Sequence, residues 1–359
     1  MSGPREVLAR VPGEGELGAA PAAGGQDAVV GEDVAAAEPA SEAHQAGREP
    51  AGGVGHQDVR QPERPGGLGE RIADWVTLTK GRIGAFVFFA AWVGAVLALR
   101  AQGVDDLSAG LEPAFWVLCV AAGSSIFNQV FEVRTDHLME RTRGRPLVTG
   151  RVAGRQATIA GIALGLGGTL ALAVRFNWTA ALCALGTLVA YSMVYTPLKR
   201  FTTHNTAIGA LPGAMPPLLG ALAIDGSGVQ TAWGWYLFLI LFVWQFPHFM
   251  AIAWMYREDY RRGGLRMLPS MPNSEGIAGR NALLYSLVIV PVSLLPGMRG
   301  DAELLYLLVA PLAGLMYVAF SLAFALHETR TRARGLLLAS LVYLPIVFLA
   351  ALFDRGALI

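Results

Sequence analysis

The sequence predicts an all-α integral membrane protein with about nine transmembrane helices, preceded by a disordered N-terminal tail. Of its 359 residues, 53% are hydrophobic and only 15% are charged, which is less charge than a soluble domain of this length carries. Apolar stretches long enough to cross a bilayer recur from residue 82 onward. Lysines and arginines concentrate in alternate loops between these stretches. These observations indicate a chain embedded in the lipid bilayer.

Residues 1–69 differ in composition from the rest of the chain, and we interpret them as a disordered tail before a multispan domain at 70–359. The segment is rich in Ala, Gly, Pro and Glu and poor in aromatic and large aliphatic residues. Such a composition cannot bury enough apolar surface to offset the entropy lost on ordering. Its first 60 residues hold ten acidic residues against four arginines, which argues against a transit peptide.

Nine apolar stretches are the predicted spans. Their expected bounds are 82–99, 112–131, 157–174, 178–196, 206–224, 233–255, 281–298, 304–326 and 335–353. The fifth should be kinked or broken, because it contains Pro212, Pro216 and Pro217. Basic loops alternate with short loops that are nearly neutral or acidic. The positive-inside rule therefore places the tail and the N-terminus in the cytoplasm and the C-terminus outside.

Composition also excludes some classes of site and partner. The two cysteines, Cys119 and Cys183, both lie inside apolar stretches, which excludes a disulfide framework and a cysteine-based zinc site. The net charge of +1 gives no reason to expect nucleic acid as a partner.

The most informative motif lies at the end of the second span. Asn128, Glu132 and Asp136 follow one another at four-residue spacing, which stacks their side chains along one face of a helix. An arginine cluster comes next, at Arg141, Arg143 and Arg145. Oxygen ligands for Mg²⁺ beside arginines suit a magnesium diphosphate. An ordinary loop whose arginines only set topology would not explain an Asn and a Glu in the last turns of a span.

Two further stretches could complete such a site. Lys199 and Arg200 follow the fourth span and could reach the same anion, or they could simply snorkel at the interface. His248 lies inside the sixth span, where a histidine can serve packing, metal binding or proton transfer. Asp259 stands in the same relation to the sixth span as Asp136 does to the second, and it could hold a cation or form only a surface ion pair.

Together these stretches resemble the UbiA superfamily of intramembrane prenyltransferases, and its heme O synthase branch in particular. The pattern Asn-x-x-x-Asp-x-x-x-Asp with Met-x-Arg-Thr-x-x-Arg-Pro is matched at Asn128, Glu132, Asp136, Met139, Arg141, Thr142, Arg145 and Pro146. Other matches include Lys80, Tyr195, Lys199, Arg200, Asn205, the segments 208–220 and 244–249, and Asp259. Two positions depart from the family pattern: Glu132 replaces an aspartate and Gly81 a proline.

The resemblance implies a helix bundle of UbiA type around a central cavity, in a bacterial-type cytoplasmic (inner) membrane. It implies Mg²⁺ held by Asn128, Glu132 and Asp136, and it leaves open whether Asp259 is the ligand of a second ion. The diphosphate would be bound by Arg141, Arg145, Lys199 and Arg200. A farnesyl group would pass from farnesyl diphosphate to a vinyl group of heme B, with water addition, to give heme O. Heme B is then a substrate and not a cofactor, His248 is its candidate contact, and heme A synthase is a candidate partner.

Two other functions remain open from the residues alone. A member of the same superfamily could prenylate an aromatic or quinone precursor, against which segments 208–220 and 244–249 argue by resemblance only. A multispan transporter could use the polar residues and broken helices as a binding site, and its basic loops would then serve only topology.

Overall fold

The computed structural model describes residues 67–228 and 231–354, and this part of the chain is helical. Its α-helices are α1 Leu68–Leu78, α2 Gly81–Ala101, α3 Leu111–Leu138, α4 Gly154–Arg175, α5 Trp178–Val189, α6 Thr196–Leu198, α7 Asn205–Ile224, α8 Ala232–Met255, α9 Arg257–Arg262, α10 Ile277–Met298, α11 Leu304–Leu326 and α12 Arg330–Phe353. A π-helical turn, Ala190–Tyr195, joins α5 to α6, and a 3₁₀ turn, Leu268–Ser270, precedes α10.

The predicted all-α membrane architecture is confirmed. In the described ranges, nine helical segments are long and apolar enough to cross a membrane, and α5 with α6 counts as one of them. Large apolar side chains stay exposed along the outer faces of these helices, as they do where lipid replaces water; examples are Leu166, Leu170, Leu182 and Leu312. The predicted tail lies outside the described residues except for positions 67–69, of which 68 and 69 already belong to α1.

Most predicted span bounds agree with the structure to within a few residues, but two differences matter. Helix α3 continues seven residues beyond the expected end at 131, so Asn128, Glu132 and Asp136 all lie on one continuous helix. The fifth span, expected to be kinked or broken, is not broken, because α7 is one α-helix with three prolines inside it. Each proline removes a single helical hydrogen bond, and the packing of α7 against α2 and α8 stabilises the rest.

Helices α2 and α7 approach until their backbones are in contact. A Cβ atom added at Gly94 would lie 1.9 Å from the carbonyl oxygen of Pro217, and one added at Gly220 would lie 1.9 Å from that of Ala91. Small residues permit this kind of approach between membrane helices. Gly94 and Gly220 are therefore a packing requirement of the contact between α2 and α7.

Substituting Gly94 with Ala is expected to destabilise the fold by about 3 kcal/mol, since backbone and not a flexible side chain occupies the space of the new Cβ. The check is the melting temperature and the monodisperse yield in detergent. Gly186→Ala in α5 is the control, because a Cβ there meets nothing within 4 Å. Equal melting temperatures for the two variants would contradict the packing argument.

Candidate functional site

The first group of polar side chains gathers where α2 begins and α3 nears its end. Lys80 adopts a left-handed backbone conformation, φ +52°, between α1 and α2. Its Nζ donates to Asn128 Oδ1 at 2.9 Å and to the Tyr191 hydroxyl at 3.3 Å. Asn128 Nδ2 donates to Thr196 Oγ1 at 3.1 Å, and Asn128 is almost fully buried. The amide predicted to bind metal is thus held by a cation on one side and a hydroxyl on the other.

A buried ion pair lies one helical turn further along α3. Lys199 Nζ donates to Glu132 Oε1 at 2.7 Å, and each side chain is about 10% exposed. The same ammonium lies 4.6 Å from the centroid of the Tyr195 ring. Burial alone would lower the pKa of Lys199, but Tyr195 and Glu132 outweigh it and raise that pKa above its usual range. Lys199 therefore stays charged at physiological pH.

The π-helical turn explains how one helix contributes so many groups to this cluster. Three residues in or just after this turn reach the site: Tyr191 contacts Lys80, Thr196 contacts Asn128 and Lys199 contacts Glu132. Such turns are frequent at functional sites. Sequence reasoning missed Tyr191 and Thr196, because an ordinary apolar periodicity does not signal an inserted π turn.

Asp136 forms the second centre of charge. Its Oδ2 is paired with the guanidinium of Arg145, while its backbone carbonyl accepts from the Thr142 hydroxyl at 2.9 Å. The side chain is only 1% exposed. The other carboxylate oxygen, Oδ1, is buried and has no hydrogen-bond partner within the described part of the chain. A buried carboxylate oxygen without a partner is costly, so this atom is a candidate ligand position.

Asp259 is held beside the loop that follows α3. Its two carboxylate oxygens accept from the backbone N–H groups of Glu140 and Arg141, each at 3.3 Å, and Arg262 pairs with it at 3.1 Å. The Arg141 guanidinium lies over the rings of Tyr256 and Tyr260, at 5.1 and 5.8 Å from their centroids. The fold thus brings the two distant acidic motifs to the same end of the bundle.

A cavity of about 190 Å³ opens next to Glu132. Its lining combines Glu132, Thr135, Thr196 and Arg200 with the apolar residues Phe131, Pro197, Phe201 and Leu265. Arg200 is exposed and reaches this cavity, whereas Lys199 is buried beside it. The space is therefore bordered by acid, base and apolar groups at once.

Two predicted residues lie apart from this cluster. Asn205 is buried, and its amide donates to the carbonyls of Thr202 and Arg266 at 2.7 and 2.8 Å, so it ties two loops together. The backbone N–H of Arg266 in turn donates to the carbonyl of Lys199 at 2.8 Å. Arg266 thus connects Asn205 to Lys199 through its backbone hydrogen bonds. His248 instead packs between α8 and α12, where it contacts Trp244 and Ser340.

The donor set fits a magnesium ion in its chemistry. Over residues 67–228 and 231–354, no three His, Cys, Asp or Glu side chains come together as a metal cluster. Mg²⁺, however, typically takes one or two carboxylates and fills its other positions with water and substrate phosphate. The unpartnered Asp136 oxygen, the Glu132 carboxylate and the Asn128 amide oxygen are ligands of that type.

Comparison with known proteins agrees with this combination of helix bundle and acidic site. The chain belongs to the UbiA prenyltransferase family, whose model matches residues 86–352. A curated relative, the protoheme IX farnesyltransferase of Solibacter usitatus, is 39% identical over 295 residues, which cover 80% of this chain and 100% of the relative. Membership in a family of prenyltransferases argues against the transporter alternative.

Solved structures share the fold at lower identity. Digeranylgeranylglyceryl phosphate synthase superposes with a TM-score of 0.60 at 17% identity, covering 80% of this chain and 99% of that one. A UbiA homolog from Archaeoglobus fulgidus bound to DMAPP and Mg²⁺ gives a TM-score of 0.52 at 17% identity, with 77% and 99% covered. These likenesses confirm the predicted UbiA-type bundle.

Proposed function

We propose that this protein transfers a farnesyl group from farnesyl diphosphate to a vinyl group of heme B, with water addition, to give heme O. The observation that carries the reaction type is the buried carboxylate and cation cluster at the end of α3, in which one carboxylate oxygen of Asp136 has no partner among the described residues. The acceptor rests on the relative from S. usitatus, a protoheme IX farnesyltransferase that the chain matches along that protein's full length.

The bonds of the proposed reaction balance without an oxidant or reductant. The allylic C–O bond of farnesyl diphosphate breaks, and its electron pair leaves with diphosphate. The vinyl π electrons of heme B bond to the farnesyl carbon, which leaves a cation next to the porphyrin. Water captures that cation and releases a proton, so the product carries a hydroxyethylfarnesyl side chain.

The chain's own cations are placed to take up the charge of the leaving group. Lys80 and Lys199 already contact Asn128 and Glu132, while Arg145 contacts Asp136. Arg200 borders the adjacent cavity, and Arg141 is held over two aromatic rings nearby. In many enzymes, preorganised charge that meets the opposite charge developing in the transition state contributes most of the rate enhancement. The apolar helices around the site would exclude bulk water and protect the cation from early capture.

Mg²⁺ would be held by Asn128, Glu132 and Asp136, with a second ion at Asp259, and would neutralise the leaving diphosphate. Support comes from the buried unpaired oxygen of Asp136 and from the A. fulgidus homolog, which was solved with Mg²⁺ and DMAPP. Glu132 is one methylene longer than the aspartate of the family pattern, and it pairs with Lys199 at 2.7 Å.

We also propose that the protein resides in a bacterial-type cytoplasmic (inner) membrane, with its N-terminus cytoplasmic and its C-terminus outside. The support is the charge of the loops: the cluster at the end of α3 lies beside the basic loops that the positive-inside rule assigns to the cytoplasm. Heme A synthase is the proposed recipient of the product.

Chelating divalent cations is expected to lower diphosphate release roughly 10³-fold, because the leaving group would then depart with its charge unneutralised. The measurement uses the purified protein in lipid nanodiscs with heme B and farnesyl diphosphate. It follows both inorganic diphosphate and the mass of the heme product. Added Mg²⁺ should restore both signals.

Acceptor specificity is tested in the same assay. Heme B should gain one hydroxyethylfarnesyl group, while an aromatic acid offered in its place should remain unmodified. Prenylation of the aromatic acid but not of heme B would overturn the proposed acceptor and leave the prenyltransferase assignment intact. Full activity in the presence of a chelator would overturn the metal proposal.

A further inference from the structure

His248 lies apart from the cluster on α3, and its ring is held from several directions. The imidazole stacks on the Trp244 ring with centroids 4.6 Å apart and planes 25° apart. Trp244 is itself fixed, since its Nε1 donates to the Ser340 carbonyl at 2.8 Å and its own carbonyl accepts from the Tyr317 hydroxyl at 3.0 Å. The His248 ring therefore has a defined orientation between α8 and α12.

The hydrogen bonds of Ser340 decide which nitrogen of His248 carries the proton. The Ser340 hydroxyl donates to the Leu337 carbonyl at 2.6 Å, a separation at which a proton has to lie between the two oxygens. A serine has only one hydroxyl proton. At the 2.8 Å contact between His248 Nδ1 and Ser340 Oγ, the serine must therefore accept and the histidine must donate. His248 is thus protonated at Nδ1.

The consequence is a free lone pair on Nε2. No residue within 67–228 or 231–354 forms a hydrogen bond to Nε2, and the ring is only partly buried. Metal-ligating histidines show this arrangement: one nitrogen donates to a fixed acceptor, which sets the tautomer, and the other binds the metal. Among the predicted partners of this site, the heme iron is the group that such a lone pair recognises.

We infer that Ser340 and Trp244 are positioning residues that present the Nε2 lone pair of His248 to the iron of the heme acceptor. The inference rests on the proposed function and adds to it two residues and a protonation state. His248 lies seven residues before the end of α8, about two turns or roughly 10 Å along the helix. An iron bound there would keep the porphyrin at the same end of the bundle as the diphosphate cluster.

The test uses mesoheme, whose ethyl groups replace the reactive vinyl groups, so that binding is measured without turnover. The full chain in nanodiscs is titrated with mesoheme while the Soret band is followed. Wild-type protein should give the spectrum of imidazole-ligated heme, and His248→Ala should lose it. Ser340→Ala should weaken mesoheme binding roughly tenfold, the usual effect of removing a group that orients a ligand histidine. Ser340→Thr, which keeps the hydroxyl, should restore binding to within about twofold.

Ser286→Ala is the matched control, because Ser286 is also fully buried and donates to the carbonyl three residues earlier but contacts no histidine. The tautomer is read independently from the ¹⁵N shifts of labelled wild-type protein, with the His248→Ala spectrum as the assignment. An Nε2-protonated ring, an unchanged Soret band in His248→Ala, or equal mesoheme affinity in Ser340→Ala and wild type would each overturn the inference. The proposed function fails separately, if wild-type protein forms no farnesylated heme from heme B.

Discussion

Replacing Asp136 with Asn is expected to lower the rate of prenyl transfer roughly 10³-fold, or about 4 kcal/mol in the activation barrier. Asn keeps the shape of the side chain but removes its charge. Asp136 is almost fully buried and pairs with Arg145 through one oxygen, while the other oxygen has no partner within residues 67–228 and 231–354. A residue kept only for stability would not need the unpaired oxygen. The measurements are diphosphate release and heme O formation at saturating Mg²⁺.

The control for Asp136 lies on the same helix. Glu112, near the start of α3, forms an exposed pair with Arg175, so Glu112→Gln should change the rate by less than about twofold. Melting temperatures of both variants separate lost chemistry from lost folding. A folded Asp136→Asn protein that still makes heme O at the wild-type rate would refute the diphosphate site at the end of α3.

Lys199→Met is expected to lose both stability and activity, and adding Glu132→Leu is expected to restore the stability but not the activity. Lys199→Met alone leaves the Glu132 charge buried and unpaired, which costs about 3 kcal/mol or more in the free energy of unfolding. The double variant Lys199→Met/Glu132→Leu removes that penalty, because a buried ion pair is often replaced by apolar residues at little cost. Both proteins should lose at least about 10²-fold in prenyl transfer, since both lack the cation of Lys199 and the double variant also lacks the acid of Glu132.

The control for these two variants is an exposed ion pair that lies outside the candidate site. Arg175→Met/Glu112→Leu removes the exposed pair between α3 and α4 and should leave both melting temperature and rate nearly unchanged. If the Lys199→Met/Glu132→Leu protein were stable and fully active, the pair would be structural and the charge of Lys199 would have no role in catalysis.

Much of the fold could be predicted because the membrane restricts the choices. A segment that crosses the bilayer has to satisfy its backbone internally, so long apolar stretches become helices whatever their tertiary partners are. Helix α7 shows the limit of this reasoning: its three prolines predicted a kink or a break, yet the helix is continuous and packs closely against α2 and α8. The contact of Gly94 with Pro217 depends on two segments more than a hundred residues apart.

The sequence by itself determined the nine spans, the oxygen-bearing face of α3 and the resemblance to a prenyltransferase family, because each depends on local composition or on spacing along one helix. Only the tertiary structure decided which oxygens are paired and which nitrogen of His248 is free. It joined Lys199 to Glu132, left Asp136 Oδ1 without a partner in the described part of the chain and gave Ser340 its contact with His248. Hydrogen-bond partners distant in sequence are set by the packing of whole helices, and no local pattern contains that information.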